Sequence, residues 1–129
     1  MAADKHPPHY DPENIFAKIL RGDIPSKAVY ESKDTYAFHD IQPAAPVHIL
    51  VIPRGYYTDF HDFTMRASKE EIADFWQSVD SVAQKLNLLE NGFRLVTNTG
   101  KDSGQIVPHF HVHLLGGGPL GPLLSGSDI

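Results

Sequence analysis

From Val107 to Leu115 the sequence reads Val-Pro-His-Phe-His-Val-His-Leu-Leu, with a histidine at every second position from His109 to His113. Side chains alternate across a strand. The pattern therefore predicts one strand with His109, His111 and His113 on one face and Phe110, Val112 and Leu114 buried on the other. Such a file of imidazoles can bind a metal. Same-face neighbours sit roughly 6.6 Å apart at Cα, whereas zinc takes each nitrogen at about 2.0–2.1 Å. Two of the three can share an ion, and all three converge only if the strand bends. The same file can instead do nucleophilic chemistry on phosphorus, in which one neutral imidazole attacks while its neighbours hold phosphate oxygens or relay the proton. The bland alternative is three histidines that decorate a solvent-facing strand.

The rest of the chain must supply a sheet and something to pack on it. Residues 1–10 are polar and proline-bearing, and read as a mobile tail. From Asp11, a cap, with Pro12 in the first turn, Ile15, Phe16, Ile19 and Leu20 recur at helical spacing, and Gly22 ends the helix. Residues 28–31 and 35–40 form a hairpin about the turn Ser32-Lys33-Asp34. Two prolines, Pro43 and Pro46, interrupt the chain before a nearly continuous apolar strand over 47–53 that carries His48 near its start. Residues 55–64 are an aromatic-rich loop. Ser68 and Glu71 then make a capping box for a long helix whose stripe runs from Ile72 through Phe75, Trp76, Val79, Val82 and Ala83 to Leu86. Asn91-Gly92 turns into a strand over 93–98, and the small-residue loop 99–105 leads into the histidines. That loop has no Walker A spacing, although its glycines let backbone amides approach a phosphate. The order of elements implies an α+β fold, an antiparallel sheet of about five strands packed by two helices.

At 129 residues with no repeat, the chain is expected to be one domain over 11–129, its apolar C-terminal tail lying on a surface. Neither a membrane span nor a signal segment is visible, so a cytoplasmic protein without a membrane partner is expected. Cysteine is absent, which excludes disulfides and thiolate zinc sites. A net charge of −5 without a lysine-arginine cluster argues against nucleic acid as a partner, though not against a small anionic ligand.

His109 to Leu115 resembles the His-φ-His-φ-His-φ-φ motif of the histidine triad (HIT) family. The resemblance runs from about Asn14 to Leu124 and is strongest to the Hint branch of purine nucleoside phosphoramidases. It rests on residues 15–21 with Ile24-Pro25, 37–41, 46–53, Gly104-Gln105 and the Gly-Pro-Leu-Gly-Pro segment 118–122. It implies a HIT-like fold whose sheets join across a homodimer, and a purine nucleotide substrate such as an AMP or GMP conjugate. The implied activity is hydrolysis of the P–N bond of nucleoside 5′-phosphoramidates. No fixed ligand set in the sequence converges on one ion, so neither a metal nor a cofactor is expected. By position, His111 would be the nucleophile, with His48 and His109 orienting it and taking up its proton. His113, Asn98 and the backbone around Gly104, Gln105, Ile106 and Val107 would hold the phosphate, and Asp40 the ribose. Phe16, Ile19, Ile24, Phe38, His39, Ile41 and Leu50 would line the base pocket. Ile106 departs from members that carry serine there, so the leaving group would take its proton from a histidine or water. Dinucleoside polyphosphate hydrolysis and a non-catalytic nucleotide- or zinc-binding role are the competing implications.

Overall fold

The computed structural model describes residues 6–126; the expectations for residues 1–5 and 127–129 lie outside it. Helix α1 spans Ile15–Arg21, β1 Ala28–Glu31, β2 Thr35–His39, β3 Val47–Pro53, α2 Phe60–Arg66, α3 Lys69–Lys85, β4 Phe93–Val96 and β5 Val112–Gly116. The five strands make one sheet in the order β1-β2-β3-β5-β4, antiparallel throughout. The α+β fold with one five-stranded antiparallel sheet is as expected, with three helices among the described residues in place of two.

Strand β3 is central, which explains its continuous apolar run: a strand covered on both faces has no polar side to show. Ile49 and Val51 point toward α3 and join Phe63, Phe75, Val79, Val82, Phe110, Val112 and Leu114 in the larger core. Leu50 and Ile52 point the other way and pack with Phe16 and Phe38 in a smaller one. That second face also carries His48 and His113, one residue out of step with the larger core. Burial of the first face thus fixes the register, since a one-residue slip would turn the histidines inward.

The ends of several elements differ from expectation. Helix α1 begins three residues later than a cap at Asp11 implies: Asn14 is the N-cap, its side chain accepting from the Ala17 amide at 2.9 Å. Gly22 closes the helix as expected, at φ +83°. The loop 55–64 contains the start of α2, capped by Asp59 and reinforced by an Arg66–Asp62 pair. The capping box of Ser68 and Glu71 is present on α3. Tyr10, assigned to a mobile tail, is 2% exposed and hydrogen-bonded inside the protein. At the other end, Leu123 and Leu124 are 56% and 70% exposed, so among the described residues no surface fully covers them. Among the described residues no helix is long and apolar enough to cross a membrane.

Candidate active site

The expected strand of histidines is shorter than its sequence pattern. Phe110, Val112 and Leu114 lie in the core as expected, but His109 and His111 are buried as well, and the ladder starts only at Val112. Strand β3 ends at Pro53, two residues beyond Val51, the partner of Val112. His109 and His111 nevertheless lie just outside the ladder, where the chain bends over residues 107–109. Freed from the ladder, this segment uses its carbonyls and rings for other bonds.

His111 is 7% exposed. Its Nδ1 lies 2.7 Å from the carbonyl oxygen of His109. A carbonyl only accepts, so Nδ1 carries the hydrogen and Nε2 keeps the lone pair. The edge of Phe16 stands against the ring, centroids 4.9 Å apart at 84°. Burial lowers the His111 pKa below its ordinary value, outweighing the His109 carbonyl and the Asp40 charge, which act the other way. The ring is thus held neutral, with one nitrogen available.

The neighbouring imidazoles in the site are His113 and His48. His111 and His113 have ring centroids 5.1 Å apart, and His113 and His48 5.2 Å. Leu50 is the partner of His113 and His48 that of Leu115, so His48 sits diagonally across the ladder from His113. The Ala44 amide donates to His48 Nδ1 at 2.9 Å. His48 Nε2 must then carry the hydrogen and donate to His113 Nδ1 at 2.9 Å, with Asp40 Oδ2 at 3.4 Å from the same nitrogen. This leaves His113 Nε2 as a donor. Burial and the flanking His111 and His48 push the His113 pKa down to about 4.

His109 corrects the expected division of labour. It is fully buried, and both of its ring nitrogens are bonded elsewhere, to Tyr10 and to Pro53 O, so its ring is not available to take that residue's proton. Its carbonyl orients His111 instead. Burial lowers its pKa to about 4.

One cavity of about 490 Å³ is lined by every residue expected to touch nucleotide: Phe16, Ile19, Ile24, Phe38, His39, Asp40, Ile41, Leu50, Asn98, Gly104, Gln105, Ile106, Val107, His111 and His113. Ile15, Pro25, Ser26 and Gln42 also line it and were not among the expected site residues. Its volume and largely apolar wall suit a small organic ligand with a few polar anchors. The loop amides are partly committed. Gly104 N–H donates to Lys101 O and Gln105 N–H to Gly100 O, so these two are not free for a phosphate. The Gln105 side chain ties the loop together, donating to Thr58 O and Val107 O and accepting from the Gly100 amide.

The expectation that no ligand set converges on one ion also needs correction. Asp40, His48 and His113 bring ligand atoms within 4.8 Å of one another. Hydrogen placement nevertheless opposes a metal there. An ion on His48 Nε2 would force a hydrogen onto Nδ1, against the Ala44 N–H, whereas ligating histidines normally donate from the second nitrogen. Turnover is accordingly expected to survive dialysis against EDTA. Loss of activity restored by zinc would reverse this assignment.

A model of the HIT domain matches residues 21–120. The chain belongs to the HIT family. It is 50% identical over 116 residues to a 13.2 kDa HIT-like protein of Azospirillum brasilense, covering 90% of this chain and 95% of that one. It is 41% identical over 113 residues to the purine nucleoside phosphoramidase of Escherichia coli K12, covering 88% and 94%. Among solved structures, a HIT family hydrolase from Clostridium thermocellum superposes with a TM-score of 0.80 at 38% identity, covering 87% of this chain and 97% of that one. A histidine triad protein from Clostridium difficile gives 0.78 at 35% identity, covering 88% and 98%. This HIT chain is thus similar to hydrolases over most of its length.

Proposed function

We propose that this HIT protein hydrolyses the P–N bond of purine nucleoside 5′-phosphoramidates. The observation that carries the reading is the His111 Nδ1–H bond to the His109 carbonyl, which leaves Nε2 as a fixed nucleophile in a nucleotide-sized cavity. Nε2 attacks the α-phosphorus. A bond from Nε2 to phosphorus forms as the P–N bond breaks, and the electron pair leaves with the amine nitrogen, which takes a proton from a histidine or water. Water then attacks phosphorus and gives up a proton that replaces the one taken by the amine, the electron pair of the breaking Nε2–P bond returns to Nε2, and the nucleoside monophosphate departs. His113 Nε2–H donates to the phosphate or to the departing nitrogen, supported from behind by His48. Asp40 at the cavity wall is available to the ribose hydroxyls, and Phe16, Ile19, Phe38 and Leu50 to the base.

The similarity to the phosphoramidase of Escherichia coli favours this substrate class over dinucleoside polyphosphates. Incubation of the purified protein with adenosine 5′-phosphoramidate and, separately, with a diadenosine polyphosphate tests the choice. Faster AMP release from the former supports the reading, and turnover of the latter alone overturns it. A cytoplasmic location accords with the cysteine-free composition.

The active form in this reading is a homodimer. Strand β4 ends the sheet, and Trp76, Leu95, Leu123 and Leu124 are 40–70% exposed on the single chain. Apolar surface of this kind is removed from water by a second copy. Sedimentation at micromolar concentration should give the mass of two chains; a monomer that turns over substrate would contradict it.

A further inference from the structure

The buried ring of His109 is held by a chain of hydrogen bonds that leads away from the cavity and that the catalytic steps above do not use. Pro53 O, which can only accept, lies 2.9 Å from His109 Nε2, so that nitrogen carries the hydrogen. His109 Nδ1 is then a lone pair, and the Tyr10 hydroxyl donates to it at 2.7 Å. The Tyr10 oxygen in turn accepts from Asn14 Nδ2 at 2.8 Å. The second Asn14 Nδ2 hydrogen goes to Asp11 O at 2.7 Å, so each hydrogen in this chain has one acceptor and one direction.

We propose that Tyr10 is a positioning residue that acts on His111 through His109. It is inferred on the reading of His111 as nucleophile. With the Pro53 carbonyl setting the tautomer, the Tyr10 hydroxyl holds the orientation of the His109 ring from its other nitrogen, and so the place of the His109 carbonyl, the group that sets the tautomer of His111. Asn14 couples the same lock to α1, because its other side-chain atom, Oδ1, caps the helix that carries Phe16. Phe16 packs edge-on against both His109 and His111. Tyr10 also stacks on Tyr56, centroids 4.8 Å apart, which holds the phenol independently of its hydroxyl. Burial pushes the Tyr10 pKa up to about 12, so the hydroxyl remains a donor at working pH.

Two substitutions remove the donated hydrogen by different routes. Tyr10→Phe keeps the ring and its stacking but deletes the hydroxyl. Asn14→Asp keeps a good helix cap but offers the phenol a carboxylate acceptor, drawing its hydrogen away from His109. His9→Ala serves as control, since His9 anchors the same segment through Asp62 without touching the lock. Imidazole ¹⁵N spectra should show wild-type His111 as the Nδ1–H form, and a mixture of tautomers in Tyr10→Phe and Asn14→Asp. Adenosine phosphoramidate turnover should fall in kcat by roughly 10–100-fold in both, with KM nearly unchanged, the scale expected when a reacting group loses its alignment. His9→Ala should match wild type in both readouts. An unchanged His111 tautomer in Tyr10→Phe would overturn the proposal, whatever the rate, as would an equal effect of His9→Ala. If the wild-type protein fails to turn over the phosphoramidate, the substrate assignment fails, and the tautomer comparison still decides the role of Tyr10.

Discussion

His111→Asn should abolish hydrolysis of adenosine phosphoramidate while leaving AMP binding nearly intact. Asparagine keeps a polar side chain of modest size among Phe16, His113 and the His109 carbonyl. It has no lone pair basic enough to form a bond to phosphorus, so the covalent route closes and the rate drops by several orders of magnitude. The binding wall is contributed mainly by other residues of the same cavity, which explains the expected survival of affinity. His113→Asn is the instructive contrast: it removes a donor to the phosphate and leaves the nucleophile, so a reduced but measurable rate should remain. Steady-state kinetics with isothermal titration of AMP separate the two. Near-normal turnover in His111→Asn would contradict the account.

The second large effect concerns pH. A neutral His111 is required for attack, and burial depresses its pKa below 6.5. The ring therefore stays unprotonated through pH 6.5 and loses its lone pair only at lower pH. The rate should be flat across the ordinary histidine range and then fall about tenfold per pH unit on the acid side of the depressed value. A decline centred at or above 6.5 would show that His111 is not desolvated in solution. His109 sets a companion limit. Its folded pKa of about 4 lies below the unfolded value of 6.5, so between these the unfolded chain binds the extra proton. Stability is full above pH 6.5 and is lost as pH falls toward 4. The acid limb must accordingly be measured well below the unfolding temperature at each pH.

Much of the framework was legible in the sequence because it follows from local rules. Burial on both faces made β3 a continuous apolar run, and Ser68 with Glu71 announced the start of α3. The cavity wall was legible only through the family resemblance, since residues as far apart as Phe16 and Val107 share no local pattern. Where the reading fell short, tertiary contacts override local cues. Tyr10 sits among prolines and polar residues typical of a tail, yet its partner is His109, 99 positions away. Alternation brought His111 and His113 to one cavity but missed that the chain bends over residues 107–109, which ends the ladder at Val112 and leaves the His109 ring bonded to Tyr10 and Pro53. Helix α2 lacks a long apolar stripe; the Asp59 cap and the i,i+4 pair of Asp62 and Arg66 were its readable signals. The Ala44 amide on His48, which argues against a metal, depends on a loop fold that no motif encodes.

The central claim is that His111 alone among the histidines bonds to the nucleotide. Rapid chemical quench during turnover of adenosine phosphoramidate, followed by peptide mass spectrometry, reads this directly. The account predicts an adenylyl group on the peptide containing His111, fragmenting to that residue and absent from His111→Asn. An adduct mapped to His109 or His113 would contradict it.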